Sequence, residues 1–363
     1  MKLTEPWSKK HKAVTKHGGL PHNLSNSFAQ PLTMGELLRL TRARGDEALL
    51  ALYEDHDLGY TPNGGSRDLR EAIAELYGPS VGADDVVVFT GAQVALQTAA
   101  LALVDETAHA IAFAPGYQSV LEAPVHAGAA VTSIPLSPAN GWAVDVAAVL
   151  NQPYNPAGTL LPKDVFAALV ELAREHGIWV LCDEAMADAY ERGLSCVTMS
   201  KPWGAGGATI GWLAFRDPTL RQRLLDAQYF GTACPSRASE IQALMVLRAS
   251  DAILEKNLAI IRENVALVDA FVAKYADHFE WVRPRAGAIG FVKFKGPLTS
   301  TELGDELACA GISVKPAYCF TADADIPAAH DGFRVGFGEA KMPAALEALA
   351  AFVEARFVDA GVV

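Results

Sequence analysis

Several side chains stand out because their neighbours give each of them a chemical need. Asp183 ends the apolar run Ile178-Trp179-Val180-Leu181-Cys182. A carboxylate at the carboxyl end of a buried strand costs stability unless a partner meets it. Arg334 lies inside Gly332-Phe333-Arg334-Val335-Gly336-Phe337, and a guanidinium within an apolar strand needs an anion. Thr90-Gly91-Ala92-Gln93 joins an apolar run, 86–89, to a helical segment. A glycine turn from strand into helix offers backbone N–H groups to a phosphate or a carboxylate. Lys201 sits between Ser200 and Pro202, ahead of the glycine-rich run 204–207, in a setting unlike that of a solvated surface lysine. Pro115-Gly116-Tyr117 follows another apolar run and puts an aromatic at the carboxyl edge of a sheet, where α/β sites lie. Asn155 belongs to Pro153-Tyr154-Asn155-Pro156-Ala157-Gly158, a turn sequence that leaves an amide side chain available.

These residues fall at the ends of alternating elements. Strands are predicted at 86–89, 110–113, 131–136, 178–181 and 210–215, with helices at 66–77 (capped by Ser66), 93–103, 117–126 and 163–175, the last ended by Gly177. A helical pattern also covers 33–52. Near-continuous apolar strands alternating with helices imply a mostly parallel sheet covered on both faces. After about 235 the texture becomes α+β. A long helical stretch, 236–275, precedes strands at 288–294, 312–314 and 333–336 and a last helix at 342–357. The expected division is an N-terminal segment, 1–45, packing with a small C-terminal α+β domain, 241–363, and a large domain, 46–240. Between the 131–136 strand and Asn155 there is room for little more than one short element, since parallel crossovers take about a dozen residues.

The bulk numbers exclude several classes. The 363 residues suit two domains, and 51% hydrophobic with 20% charged residues describes a globular chain rather than a disordered one. A net charge of −12, with no long Lys/Arg cluster, argues against nucleic-acid or anionic-membrane partners. The short basic stretch at 9–12 reads as a solvated tail. No apolar window is long enough to span a membrane, and the first twenty residues lack a signal-peptide core. Cys182, Cys196, Cys234, Cys309 and Cys319 are dispersed and odd in number, which implies reduced thiols, a cytoplasmic setting and no metal site.

An amine, a buried acid, an anion-binding helix start, a flat aromatic and a carboxylate-binding arginine are the parts that pyridoxal 5'-phosphate chemistry requires. The chain resembles the class I/II aminotransferases of the fold-type-I pyridoxal-phosphate family. The likeness runs from about Tyr60 to Arg334 and rests on ordered motifs: Tyr60-Thr61-Pro62-Asn63-Gly64-Gly65, Thr90-Gly91-Ala92-Gln93, Pro115-Gly116-Tyr117, Asn155-Pro156-Ala157-Gly158, Asp183-Glu184-Ala185, Thr198-Met199-Ser200-Lys201 and Phe333-Arg334-Val335-Gly336. The resemblance implies an α/β fold with a large, mostly parallel sheet domain and a smaller α+β domain. It implies that Lys201 carries the cofactor as a Schiff base and shuttles the α-proton, and that Asp183 protonates the ring nitrogen. Gly91, Ala92 and Gln93 with Thr198 and Ser200 would hold the phosphate, and Tyr117 would stack on the ring. Asn155 would bond the ring oxygen and, with Arg334, seat the substrate carboxylate. Tyr60 would reach the phosphate of a partner subunit, hence a homodimer. Glu184 would support or cap. The implied reaction moves the α-amino group of an L-amino acid to a 2-oxo acid, with specificity set by loops and by the segment 23–30.

Two positions depart from the family pattern. Thr209 stands where an arginine usually meets the phosphate, and Met186 where a tyrosine often bonds the ring oxygen. They leave open a same-fold enzyme that eliminates, cyclises or oxidises an amino acid, similar to capreomycidine synthase. A non-catalytic cofactor-binding regulatory domain is the remote alternative, for which no basic helix-turn-helix pattern precedes Tyr60.

Overall fold

The run Val86-Val87-Val88-Phe89 is wholly buried, and its alternate side chains enter two different cores. The computed structural model describes residues 4–10, 19–142, 150–151, 153–183, 190–321, 326–359 and 361. Among these the strands are β1 (His22–Asn23), β2 (Val86–Phe89), β3 (His109–Ala114), β4 (Ala130–Pro135), β5 (Leu150–Asn151), β6 (Val180–Asp183) and β7 (Gly193–Thr198). There follow β8 (Gly211–Phe215), β9 (Phe279–Trp281), β10 (Ile289–Phe294), β11 (Ile312–Ser313), β12 (Lys315–Pro316) and β13 (Phe333–Gly336).

The central sheet has the order β2-β8-β7-β6-β5. β5, β6 and β7 are parallel, and β8 runs antiparallel to both of its neighbours. Val87 and Phe89 pack with Leu213 and Phe215 beneath the helices Ala92–Leu103 and Pro218–Tyr229. Val86 and Val88 pack with Trp212 and Ala214 beneath Arg67–Ala74 and Arg237–Arg248. Period-two alternation with both faces apolar is what a doubly covered sheet demands. β3 and β4 form a separate parallel pair.

Further along the chain, β12, β13, β10 and β9 form an antiparallel sheet around a core that includes Phe279, Phe333 and Phe357. β1 pairs in parallel with β11. This ties the N-terminal segment to that region.

Some elements differ from the sequence expectation. β7 lies in a stretch for which the pattern gave no strand. It is buried on both faces, Ser195 included, so polar residues sit where an apolar run is the usual signal. The helical stretch at 33–52 is two helices, Met34–Ala43 and Glu47–Glu54, parted at Gly45 with φ 76°. The 236–275 stretch likewise divides into Arg237–Arg248 and Ser250–Lys274. Ser66 does stand before its helix, but its hydroxyl makes no capping bond. No helix among the described residues is long and apolar enough to cross a membrane.

Candidate active site

Glycine contacts fix how the site is assembled. Gly91 has φ 93° and stands just before the helix Ala92–Leu103, whose first N–H groups have no acceptor within the helix. A Cβ at Gly91 would come 3.9 Å from the methyl of Thr209, so Thr209 borders this turn. A Cβ at Gly211, the first residue of β8, would lie 2.6 Å from the Ala92 nitrogen and 3.0 Å from the Val197 carbonyl oxygen. Gly211 therefore lets the turn approach β7 and β8 closely. The sequence reading missed it, although a glycine opening an apolar strand was a visible sign of close backbone approach. Gly211→Ala is expected to cost about 1–3 kcal/mol of stability by overpacking, read as a lower midpoint in thermal or urea unfolding.

β7 delivers Thr198 to the same end of the sheet. Its hydroxyl lies 2.9 Å from that of Ser200. Lys201 follows, solvent-accessible, and its ammonium donates to the Ser27 hydroxyl at 2.7 Å. The N-terminal segment is pinned here by Ala29 N–H to the Lys201 carbonyl at 3.0 Å and Leu32 N–H to the Gly204 carbonyl at 3.0 Å. A Cβ at Gly204 would collide with the Gln30 carbonyl, and one at Gly336 with that of Asn26. Glycine at both positions allows residues 26–30 to pass between the Lys201 loop and β13.

Arg334 on β13 has a relative exposure of 2%. It donates to Asn155 Oδ1 at 3.0 Å and to the Ser25 carbonyl at 2.8 Å, while its Nε has no partner. Its guanidinium carbon lies 5.3 Å from the Phe320 ring centroid. Burial pulls its pKa down to about 10, so it stays charged at neutral pH. A buried guanidinium with its Nε–H unpartnered and no carboxylate partner among the described residues has the chemistry to receive a carboxylate.

Tyr117 precedes the helix Gln118–His126, and its hydroxyl accepts a bond from the Gln93 amide. The Gly116 N–H donates to the Phe320 carbonyl at 2.7 Å, which joins the Tyr117 turn to the segment after β12. Tyr154 donates its hydroxyl to the Pro115 carbonyl, and burial keeps that phenol protonated well above the usual tyrosine range.

The structure thus brings Arg334, Asn155, Ser25, Ser27 and Lys201 into one chain of contacts. Gln93 and Tyr117 make a second cluster, and Thr198 with Ser200 a third. Tyr60 is 97% exposed and touches none of them within one chain. The Asp183 backbone ends β6, paired with Cys196 of β7; its side chain, with Glu184 and Met186, lies outside the described residues. Sequence reasoning named the segment 23–30 but not Ser25 and Ser27 individually. Their contacts come from a chain crossing of more than 170 residues, which no local pattern encodes.

The donor set fits pyridoxal 5'-phosphate. A helix start with no side-chain cap and two hydroxyls suit a phosphate, Lys201 supplies an amine, and the unpartnered Nε–H of Arg334 suits an amino acid's carboxylate.

Comparison with known proteins agrees. The family model for aminotransferase class I and II matches residues 30–351. Capreomycidine synthase of Streptomyces vinaceus is 27% identical over 344 residues, covering 87% of this chain and 85% of that one. A probable aspartate/prephenate aminotransferase of Thermus aquaticus is 26% identical over 297 residues, covering 72% of this chain and 76% of that one. A pyridoxal-phosphate-dependent aminotransferase from Streptococcus suis shares the fold with a TM-score of 0.87, at 22% identity, over 98% of this chain and 99% of that one. With the fold-type-I architecture and a site suited to pyridoxal 5'-phosphate, the chain belongs to the class I and II aminotransferases, a family of pyridoxal-phosphate-dependent enzymes.

Proposed function

We propose that the protein transfers the α-amino group of an L-amino acid to a 2-oxo acid, using pyridoxal 5'-phosphate held on Lys201. The buried Arg334 carries this reading: it holds Asn155, has an Nε–H without a partner and is linked through the N-terminal segment to Lys201. When bound, the cofactor supplies a conjugated ring that stabilises negative charge developing at the amino acid's α-carbon. The N–H groups of Ala92 and Gln93, with the hydroxyls of Thr198, Ser200 and Thr209, would hold its phosphate. Tyr117 would cover the ring, and Asp183 would supply the acid that pairs with the ring nitrogen. Arg334 and Asn155 fix the substrate carboxylate, a positioning effect that orients the α-C–H bond. The Lys201 amine would be the base that takes up and gives back the proton at the substrate's α-carbon. We read 46–240 as the cofactor-binding domain, with 241–363 as the small domain that 1–45 joins, and the free thiols as fitting a cytoplasmic setting.

The closing test is a visible spectrum recorded while amino acids are added to the purified holoenzyme. Loss of the protein-bound cofactor band, reversed by a 2-oxo acid, supports transamination. Ammonia release, or a cyclised product with the band unchanged, moves the assignment to the second reading. Similarity to capreomycidine synthase over most of the chain favours that second reading, as does Thr209 in place of an arginine.

We also propose a homodimer. Leu58 and Tyr60 are 95% and 97% exposed, and Phe230 is 89% exposed. The loops that carry them are joined by Thr61 Oγ1 donating to the Pro235 carbonyl at 2.7 Å and Gly64 N–H to Gln228 Oε1 at 2.9 Å. Adjacent large apolar side chains in water mark a surface that a partner covers. Light scattering is expected to give twice the 38.5 kDa chain mass, and a single-chain mass would refute the dimer.

A further inference from the structure

Lys315 is the site cation that the reaction described above does not use. It lies on β12 directly opposite Arg334 of the antiparallel neighbour β13. Directly opposed residues of such a pair project from the same face with Cβ atoms about 5 Å apart, and like charges there repel. No carboxylate among the described residues pairs with either side chain, and the charges acting on Lys315 are those of Arg334, Lys201 and the Cys319 thiol. Burial, reinforced by Arg334, pulls the Lys315 ammonium down to about 8, so it remains largely charged at neutral pH. Lys315 lines a cleft of about 570 Å³ together with Gln93, Tyr117, Cys319 and Phe320. The cleft therefore joins the proposed cofactor site to this second cation.

We propose that Lys315 is a specificity-determining residue that binds a second acidic group, carried on the substrate's side chain, so that the preferred amino donor or 2-oxo acceptor is a dicarboxylate. The proposal rests on reading Arg334 as the α-carboxylate site. With Arg334 occupied by that carboxylate, Lys315 is left to face the rest of the substrate. Its charge attracts an acidic side chain and repels a cationic one. One dicarboxylate would neutralise both opposed cations, which gives the like-charge pair a reason to exist in the free enzyme. A substrate with a guanidino side chain would instead add a third positive charge.

The test is calorimetric binding of succinate and of butyrate, a four-carbon dicarboxylate and its monocarboxylate counterpart, to the purified holoenzyme. Wild type is expected to bind succinate about tenfold or more tightly than butyrate, as a partly buried charge-assisted contact provides. Lys315→Met is expected to bring the two affinities within about twofold of each other by weakening succinate alone, and Lys315→Arg to restore part of the preference. Equal affinity of wild type for the two ligands overturns the proposal. So does equal weakening of both in Lys315→Met, which would make Lys315 a second ligand of the shared carboxylate. The affinity ratio decides Lys315 on its own, whereas peptide mapping of the borohydride-reduced holoenzyme for a covalent cofactor on Lys201 decides the functional reading separately.

Discussion

Replacing Lys201 by alanine is expected to abolish covalent retention of the cofactor and to lower turnover by about 10³-fold or more. A positioned proton-transfer group contributes roughly 10²–10⁴-fold, and in the proposed reaction the same amine would hold the cofactor. Stability is expected to change by less than about 1 kcal/mol, because the side chain is solvent-accessible. That separates chemical loss from misfolding. Borohydride reduction of the wild-type holoenzyme, followed by peptide mapping, should place the adduct on the peptide that contains Lys201. The competing amine is Lys315, whose lowered pKa leaves more of it unprotonated at neutral pH than is usual for a lysine. Both amines border the proposed cofactor site, and we favour Lys201 because it follows Thr198 and Ser200, whereas Lys315 is paired opposite Arg334. An adduct on Lys315, or full turnover by Lys201→Ala, would sink the assignment.

The sequence made the sheet legible wherever a strand is apolar on both faces. β2, β6 and β8 are such strands, and each borders a motif that the sequence singled out. β7 ends at Thr198 and leads on to Ser200 and Lys201; it was not legible, because Ser195 is buried in a ladder that satisfies its backbone but leaves no hydropathy signal. Single-residue chemistry was legible where burial makes a charge expensive, as at Arg334. Pairings were not. Arg334 meets Ser25 and Asn155 across separations of 309 and 179 residues, and Lys315 meets Arg334 through strand register. A two-residue strand such as β12 has no periodicity to read. The role of Lys315 therefore emerges only once β12 and β13 are seen side by side. Thr209 shows the converse: its departure from the family pattern was plain in the sequence. The structure adds that its backbone is left-handed, at φ 53°, beside Gly91.

Arg334→Met is expected to separate activity from stability. In the free enzyme the guanidinium is buried with no carboxylate partner among the described residues, so its desolvation is only partly compensated. Methionine removes that cost and fills similar volume. It also leaves Asn155 Oδ1 and the Ser25 carbonyl without the donors that now meet them at 3.0 and 2.8 Å. The opposing effects are each about 1–3 kcal/mol, so the unfolding midpoint should move little in either direction. Activity has no such compensation. Losing a buried, two-pronged contact to a carboxylate costs about 2–5 kcal/mol, or roughly 30- to 4000-fold in kcat/KM. Arg334→Lys should recover little of this, because an ammonium cannot keep the bonds to Asn155 and Ser25 and also meet both carboxylate oxygens. The measurement pairs steady-state kinetics with urea unfolding on the same preparations. A large fall in kcat/KM at nearly constant stability is the signature of a substrate anchor. A parallel fall in both would make Arg334 a structural pin for the N-terminal segment, and the α-carboxylate site would then have to be sought at Lys315.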